Sequence, residues 1–210
     1  METDEQPPEV PRGQFSVAFG VVFYTGLAFV AWLLAEAIGG IDLLIWHDDF
    51  GTSTYFDAAL GAGVGVGAVA LSRILERTTE WAQQLAEEFG KLLGPLGLDS
   101  VLLLAVASGI AEEVFFRGFL QQLLSEMLFG GPYARVWGLV VSGVVFGLLH
   151  VGPDVQKFLP WTIMALIFGG AFGGMYWYTG NLLAPVLAHF TINFLNLNAI
   201  ARRYGGRGAG

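Results

Sequence analysis

Long runs of hydrophobic residues, separated by short polar segments, dominate the pattern of this chain. Six runs are predicted to form helices that cross a hydrocarbon layer of about 30 Å. They cover residues 15–38, 56–71, 99–128, 134–150, 158–178 and 182–200. The pattern therefore predicts an all-α fold, a polytopic transmembrane bundle of six to eight helices.

One segment between the predicted spans has a different pattern. Residues 73–90 mix charged residues with Trp81, Leu85 and Phe89 at mostly helical spacing. This arrangement predicts one amphipathic helix on the membrane surface, which anchors the protein or guides substrates, and anchoring is the simpler interpretation. The dipeptide Gly94-Pro95 is predicted to end it.

Small residues indicate where helices approach one another closely. The run over 56–71 contains glycine at every second position from 61 to 67, and the run over 158–178 is rich in Gly and Ala. Small side chains let helix backbones come together in lipid. We therefore expect these two helices to pack closely around any central site.

Composition supports the membrane interpretation and excludes several function classes. The chain has 210 residues, of which 54% are hydrophobic and 13% are charged, whereas soluble domains have about 25% charged residues. It contains no cysteine, which excludes disulfides, cysteine proteases and cysteine-ligated zinc. The net charge of −8 argues against a nucleic-acid partner. The predicted environment is the lipid bilayer.

The polar ends of the chain are predicted to lie outside the bundle. Residues 1–14 are acidic and proline-rich, which favours a disordered N-terminal tail over a secretory signal. Residues 15–201 form the transmembrane domain, and residues 202–210 form a basic, glycine-rich C-terminal tail. Most basic residues fall on one side of the predicted spans and Arg135 on the other. Both termini are therefore predicted to be cytoplasmic.

Three charged residues interrupt the apolar run over 99–128, in the segment AEEVFFRG. A charge near the bilayer centre costs roughly 2.5 to 3.5 kcal/mol, so such residues usually face a protein interior and serve a function. Glu113 and Arg117 lie four residues apart, which predicts an ion pair on one helix face. Glu112 has no such partner on its own helix and is the candidate for acid–base chemistry. The alternative to a functional role is that all three charges form one structural network between packed helices.

Polar residues on two further helices extend this candidate site. His150 ends one helix in the segment FGLLH, and His189 and Asn193 share a face of the last helix in HFTIN. Together with Glu112, they suit activation of water and stabilisation of an oxyanion. Glu112, His150 and His189 equally resemble a site for a divalent metal such as zinc. The spacing leaves both interpretations open.

The segments EEVFFRG, FGLLH and HFTIN, in this order on separate hydrophobic helices, resemble the motifs of the CPBP family of intramembrane proteases. That family includes CAAX proteases and bacteriocin-processing enzymes, and is also called Abi. The resemblance covers about residues 98–200 and implies an endopeptidase of a prokaryotic cell membrane, acting on membrane-associated or CAAX-like peptides. It implies that Glu112 and His150 activate water, and that His189 and Asn193 stabilise the oxyanion or bind metal. Glu113 and Arg117 would shape the site.

Two functions of other classes compete with this interpretation. A non-catalytic immunity or partner-binding membrane protein could share the same bundle, but the intact motif residues favour an enzyme. A small transporter could use buried Glu and His residues as a proton relay. Such a transporter is expected to show an inverted repeat, and none is visible between the two halves of the sequence.

Overall fold

The computed structural model describes residues 16–204, which form seven helices and no β-strand. In chain order the helices are α1 (Val17–Ile38), α2 (Thr54–Thr78), α3 (Glu80–Leu93), α4 (Leu98–Leu128), α5 (Ala134–Leu148), α6 (Val155–Thr179) and α7 (Leu183–Tyr204). The predicted all-α bundle is confirmed. The predicted tail over 1–14 lies outside the described residues. Of the predicted tail over 202–210, only the first three residues are described, and they continue α7.

Short polar residues begin several helices, and glycines end them. The side chains of Ser16, Ser53 and Asp154 accept hydrogen bonds from backbone N–H groups in the first turns of α1, α2 and α6. Each of these bonds satisfies a donor that has no partner within the helix. Gly39 and Gly94, with φ angles of 76° and 66°, end α1 and α3. The break predicted at Gly94-Pro95 is therefore present.

Fewer helices than the six predicted are long and apolar enough to cross a membrane. Among the described residues, α1, α2, α6 and α7 qualify, and a fifth span exists if α3 and α4 count as one element bent by 104°. The helix α5 has only 15 residues, about 22 Å at 1.5 Å per residue, which is short of the hydrocarbon thickness. The charges of α4 lower its hydropathy. The helices α4 and α5 therefore account for the difference between the six predicted spans and the four or five found.

The predicted amphipathic helix over 73–90 is divided in two. Residues 73–78 continue α2, and Thr79 adopts an extended conformation (φ −134°, ψ 138°) before α3 begins. The apolar residues Trp81, Leu85 and Phe89 of α3 line the cavity between the helices. The apolar face of α3 thus covers the inside of the bundle, which is more than the anchoring role predicted for it.

Helix α7 lies at the centre of the bundle, where it packs against α2, α4, α3 and α6. Two glycines of α2 explain how closely α2 approaches it. A Cβ atom at Gly61 would overlap the backbone of Ala184, and one at Gly65 would come within 3.0 Å of the carbonyl oxygen of Ala188. Gly63 has open space around it. Alternate glycines of the run therefore provide the predicted close packing.

The segment between α1 and α2 crosses the turn between α6 and α7. The backbone N–H of Trp46 donates to the carbonyl of Gly180 (2.7 Å), and the N–H of Leu182 donates to the carbonyl of Leu44 (3.1 Å). Arg135 of α5 holds the same segment through an ion pair with Asp49, 2.6 Å long. That hydrogen bond lowers the pKa of the Asp49 carboxyl from its ordinary value.

Candidate active site

The charged triplet lies where α4 changes its winding. The α-helical part of α4 ends at Glu113, and residues Val114–Gln121 form π-helical turns. Turns of this kind occur frequently at functional sites. Glu112 is 7% exposed, and Glu113 and Arg117 are fully buried. The fold therefore places all three charges inside the bundle and none against lipid.

Glu112 faces both predicted histidines with one carboxylate oxygen. Its Oε2 lies 3.4 Å from Nε2 of His150 and 3.8 Å from Nε2 of His189. Within the described part of the chain, this buried oxygen has no hydrogen-bond partner. A buried carboxylate oxygen without a partner is costly. It therefore offers a strong acceptor to a water molecule or to the substrate.

Each histidine is oriented by a contact of its other ring nitrogen. Nδ1 of His150 lies 2.7 Å from the carbonyl oxygen of Phe146, and Nδ1 of His189 lies 2.8 Å from Oε1 of Glu113. Since both neighbours are acceptors, each Nδ1 is the donor in its hydrogen bond. In both rings Nε2 is consequently the nitrogen that faces Glu112 and is available to exchange a proton.

Arg117 links the site to a second wall of the bundle. Its guanidinium donates to Oε1 of Glu113 at 3.1 Å, the ion pair that the spacing predicted, and to the carbonyl of Gly169 at 3.2 Å. It also lies 4.4 Å from the centre of the Phe146 ring, a favourable cation–π contact. Because Oε1 of Glu113 also contacts His189, the position of that imidazole depends on Arg117.

Asn193 lies half-buried on α7, one turn beyond His189, and lines the same cavity as Glu112. Its Nδ2 donates to the hydroxyl of Ser108 at 2.9 Å. Ser108 is buried one turn before Glu112 on α4. The structure therefore brings all four residues predicted as catalytic to one cavity.

Several residues of this site were not predicted from the sequence. Tyr24 of α1 is close enough to Glu112 to interact with it electrostatically. The rings of Phe146 and Trp161 flank His150, with centroids at 4.3 and 5.2 Å, and Phe172 flanks His189 at 5.3 Å. Phe146 belongs to the FGLLH segment that the sequence analysis singled out. Aromatic residues are common in membrane helices, so the sequence carries no signal that separates Tyr24, Trp161 and Phe172 from others.

Within the described residues, no group of three His, Cys, Asp or Glu side chains is arranged to hold a metal ion. The set Glu112, His150 and His189, a candidate for zinc from its residue types alone, does not meet that requirement.

The site opens into a cavity of about 320 Å³. Of the three predicted segments, α4 contributes Glu112, α7 contributes His189, and His150 lies two residues beyond the end of α5. The remaining helices contribute as well: Tyr24 of α1, Trp81 and Phe89 of α3, Trp161 and Phe168 of α6, and a polar end at Arg73 and Glu76 of α2. The volume lies within the range that binds small ligands or short peptide segments.

Comparison with known proteins places these residues in a family context. Residues 95–195 match the family model described as type II CAAX prenyl endopeptidase Rce1-like. The chain is also 28% identical over 105 residues to uncharacterized protein YpbD of Bacillus subtilis (strain 168). That alignment covers 49% of this chain and 47% of the relative, so the chain matches about half of the relative's length. No solved structure matches.

Proposed function

We propose that this chain, an integral membrane protein whose residues 95–195 match the model of the Rce1-like type II CAAX prenyl endopeptidases, is an intramembrane endopeptidase. It hydrolyses a peptide bond of a membrane-associated or CAAX-like peptide. The observation that carries the proposal is the single Oε2 of Glu112 that both histidine Nε2 atoms face, at 3.4 and 3.8 Å.

Glu112 is the proposed general base. A water molecule held between Oε2 and His150 gives one proton to the carboxylate as its oxygen attacks the carbonyl carbon of the substrate. The tetrahedral intermediate then collapses. The C–N bond breaks, and the proton held by Glu112 passes to the leaving nitrogen, which becomes the amine of the released peptide. Water is consumed and the carboxylate is regenerated.

His189 and Asn193 are the proposed partners of the oxyanion. His189 donates from Nδ1 to Glu113, so its Nε2 faces the cavity and donates to the developing charge when the ring is in the imidazolium form. Asn193 presents a carboxamide from the same face of α7. Donors that are already in place when charge develops stabilise the transition state most strongly. Glu113 and Arg117 act as positioning residues.

The proposed setting is a prokaryotic cell membrane with both termini in the cytoplasm. Lys91 and Lys157 both lie within 3.3 Å of the same carboxylate, Glu88, so the basic residues before α4 and at the start of α6 share one end of the bundle. Arg135 lies near the other end of α4, within 3.5 Å of Glu126. This asymmetry supports the proposed orientation.

The first experiment compares wild type with Glu112→Gln in lipid, using a peptide library read by mass spectrometry. A general base contributes roughly 10²- to 10⁴-fold, so cleavage by Glu112→Gln is expected to fall by at least a hundredfold. Glu36→Gln, which changes an exposed carboxylate of α1, is the matched control and should cleave normally. If Glu112 activates the water by itself, as proposed, cleavage by wild type should survive a chelator.

Two results would contradict the proposal. Unchanged cleavage by Glu112→Gln would show that this carboxylate is not the base. If wild type cleaves no member of the library while it stably binds one membrane protein, the partner-binding function is favoured instead.

A further inference from the structure

One polar side chain of the cavity, Ser108, has no role in the mechanism proposed above. Its hydroxyl on α4 lies 2.9 Å from the carboxamide nitrogen of Asn193 on α7. Ser108 is 3% exposed and lines the cavity that also contains Glu112 and His189. None of the three motifs includes this serine. A buried hydroxyl from outside the motifs therefore touches one of the two proposed oxyanion donors.

Close packing of α4 against α7 lets the short side chain of Ser108 reach Asn193. One position further along α4, a Cβ atom at Gly109 would lie 3.1 Å from the backbone nitrogen of Phe190, which is closer than an ordinary van der Waals contact. Ser108 also precedes Glu112 by four residues, so both side chains lie on the same face of α4. The two packed helices thus hold the hydroxyl next to the catalytic site.

The hydroxyl determines which end of the Asn193 carboxamide faces it. A serine hydroxyl has one proton to donate and two lone pairs that accept. Ser108 directs its proton to the carbonyl oxygen of Ala105, at 3.4 Å, so toward Asn193 it acts as an acceptor. The atom of Asn193 that meets it is consequently the donor Nδ2. The flipped carboxamide would bring the acceptor Oδ1 against an acceptor.

This orientation leaves Asn193 with one N–H group for a ligand. Nδ2 carries two N–H groups, and among the described residues Ser108 is the acceptor for one of them. Asn193 is half-buried and lines the cavity, so the second N–H is available to a group bound there. A donor whose direction is fixed before the reaction stabilises developing negative charge most strongly, because nothing has to be reordered when the charge appears.

We propose that Ser108 is a positioning residue, whose hydroxyl holds the carboxamide of Asn193 with one N–H directed at the oxyanion of the tetrahedral intermediate. The inference rests on the proposed peptidase function and adds a residue to its oxyanion site. Ser108 does not touch the substrate and acts through Asn193.

The test measures kcat and KM for one cleaved library peptide in lipid, with wild type, Ser108→Ala, Asn193→Ala and the double variant. Loss of an oxyanion donor lowers kcat by about 10²- to 10³-fold, which is the range expected for Asn193→Ala. Ser108→Ala keeps the donor but releases it, so kcat should fall by roughly tenfold while KM stays within about twofold of wild type. The double variant should have the kcat of Asn193→Ala, because no carboxamide is left to position.

The matched control is Ser125→Ala, which changes a second buried serine of α4. Within the described part of the chain, the Ser125 hydroxyl has no hydrogen-bond partner, so this variant should cleave as wild type does. A general loss of folded protein in Ser108→Ala would lower kcat by the same factor with and without Asn193, and that result would overturn the inference.

Unchanged kcat in Ser108→Ala, while Asn193→Ala is slow, would also overturn the positioning role and would leave the peptidase function intact. A loss in Ser108→Ala that appears in KM and not in kcat would contradict it as well, because the oxyanion exists only after the substrate has bound. If wild type cleaves no member of the library, the peptidase function and this inference fail together.

Discussion

Oε1 of Glu113 accepts from both Arg117 and His189, so one buried oxygen sets the geometry of the site. Arg117→Met should leave Glu113 without its cation, and removing one partner of a buried pair costs about 3–5 kcal/mol. The double variant Glu113→Gln/Arg117→Met should lose less stability than the two single variants together, because the pair is removed as a unit.

Unfolding of the purified variants in detergent, followed by tryptophan fluorescence, measures these losses. Arg77→Met removes an exposed arginine and should change the free energy of unfolding by no more than about 0.5 kcal/mol. Strictly additive losses in the double variant would show that Arg117 and Glu113 stabilise the protein independently, against the geometry described above.

At the scale of helices, contact between α5 and α6 determines where Arg117 finds its second acceptor. A Cβ atom at Gly169 would lie 2.5 Å from the carbonyl oxygen of Gly143, so α5 and α6 touch through their backbones there. The carbonyl of Gly169 itself accepts from Arg117. Gly169→Ala should therefore separate the two helices and disturb the site.

The expected loss of stability for Gly169→Ala is about 1–3 kcal/mol, the usual cost of overpacking, with reduced peptide cleavage. Gly170→Ala is the matched control, because its Cβ atom meets open space, and it should behave as wild type in both assays. Equal effects of the two substitutions would show that helix propensity, not contact between α5 and α6, controls the outcome.

For the whole molecule, the proposed orientation is open to direct measurement because the chain has no cysteine. Pro95 and Tyr133 are both exposed and flank opposite ends of α4. With cytoplasmic termini, Pro95→Cys should react with an impermeant maleimide only after cells are opened, whereas Tyr133→Cys should react in intact cells. The reverse labelling pattern would invert the proposed orientation, and equal labelling would show that both positions face one side.

The sequence was sufficient to predict those features of the structure that depend on residues close together in the chain. The hydrophobic runs predicted the helices, Gly94-Pro95 predicted the break before α4, and the four-residue spacing predicted the ion pair of Glu113 and Arg117. Periodicity, caps and i,i+4 contacts are local, so the pattern contains them. Fewer helices than the six predicted spans have the length and hydropathy of a membrane span, because a run of apolar residues does not show that α5 stops after 15 residues.

The tertiary structure alone decided the distances between helices. Glu113 and His189 are 76 residues apart in the chain, and no spacing rule relates them. The π-helical turns of α4, the approach of Tyr24 to Glu112 and the hydrogen bond from Asn193 to Ser108 follow from how α1, α4 and α7 pack. The sequence thus determined which polar residues enter the membrane bundle. Packing determined which of them meet, because the small residues that let helices approach act only when a second helix is present.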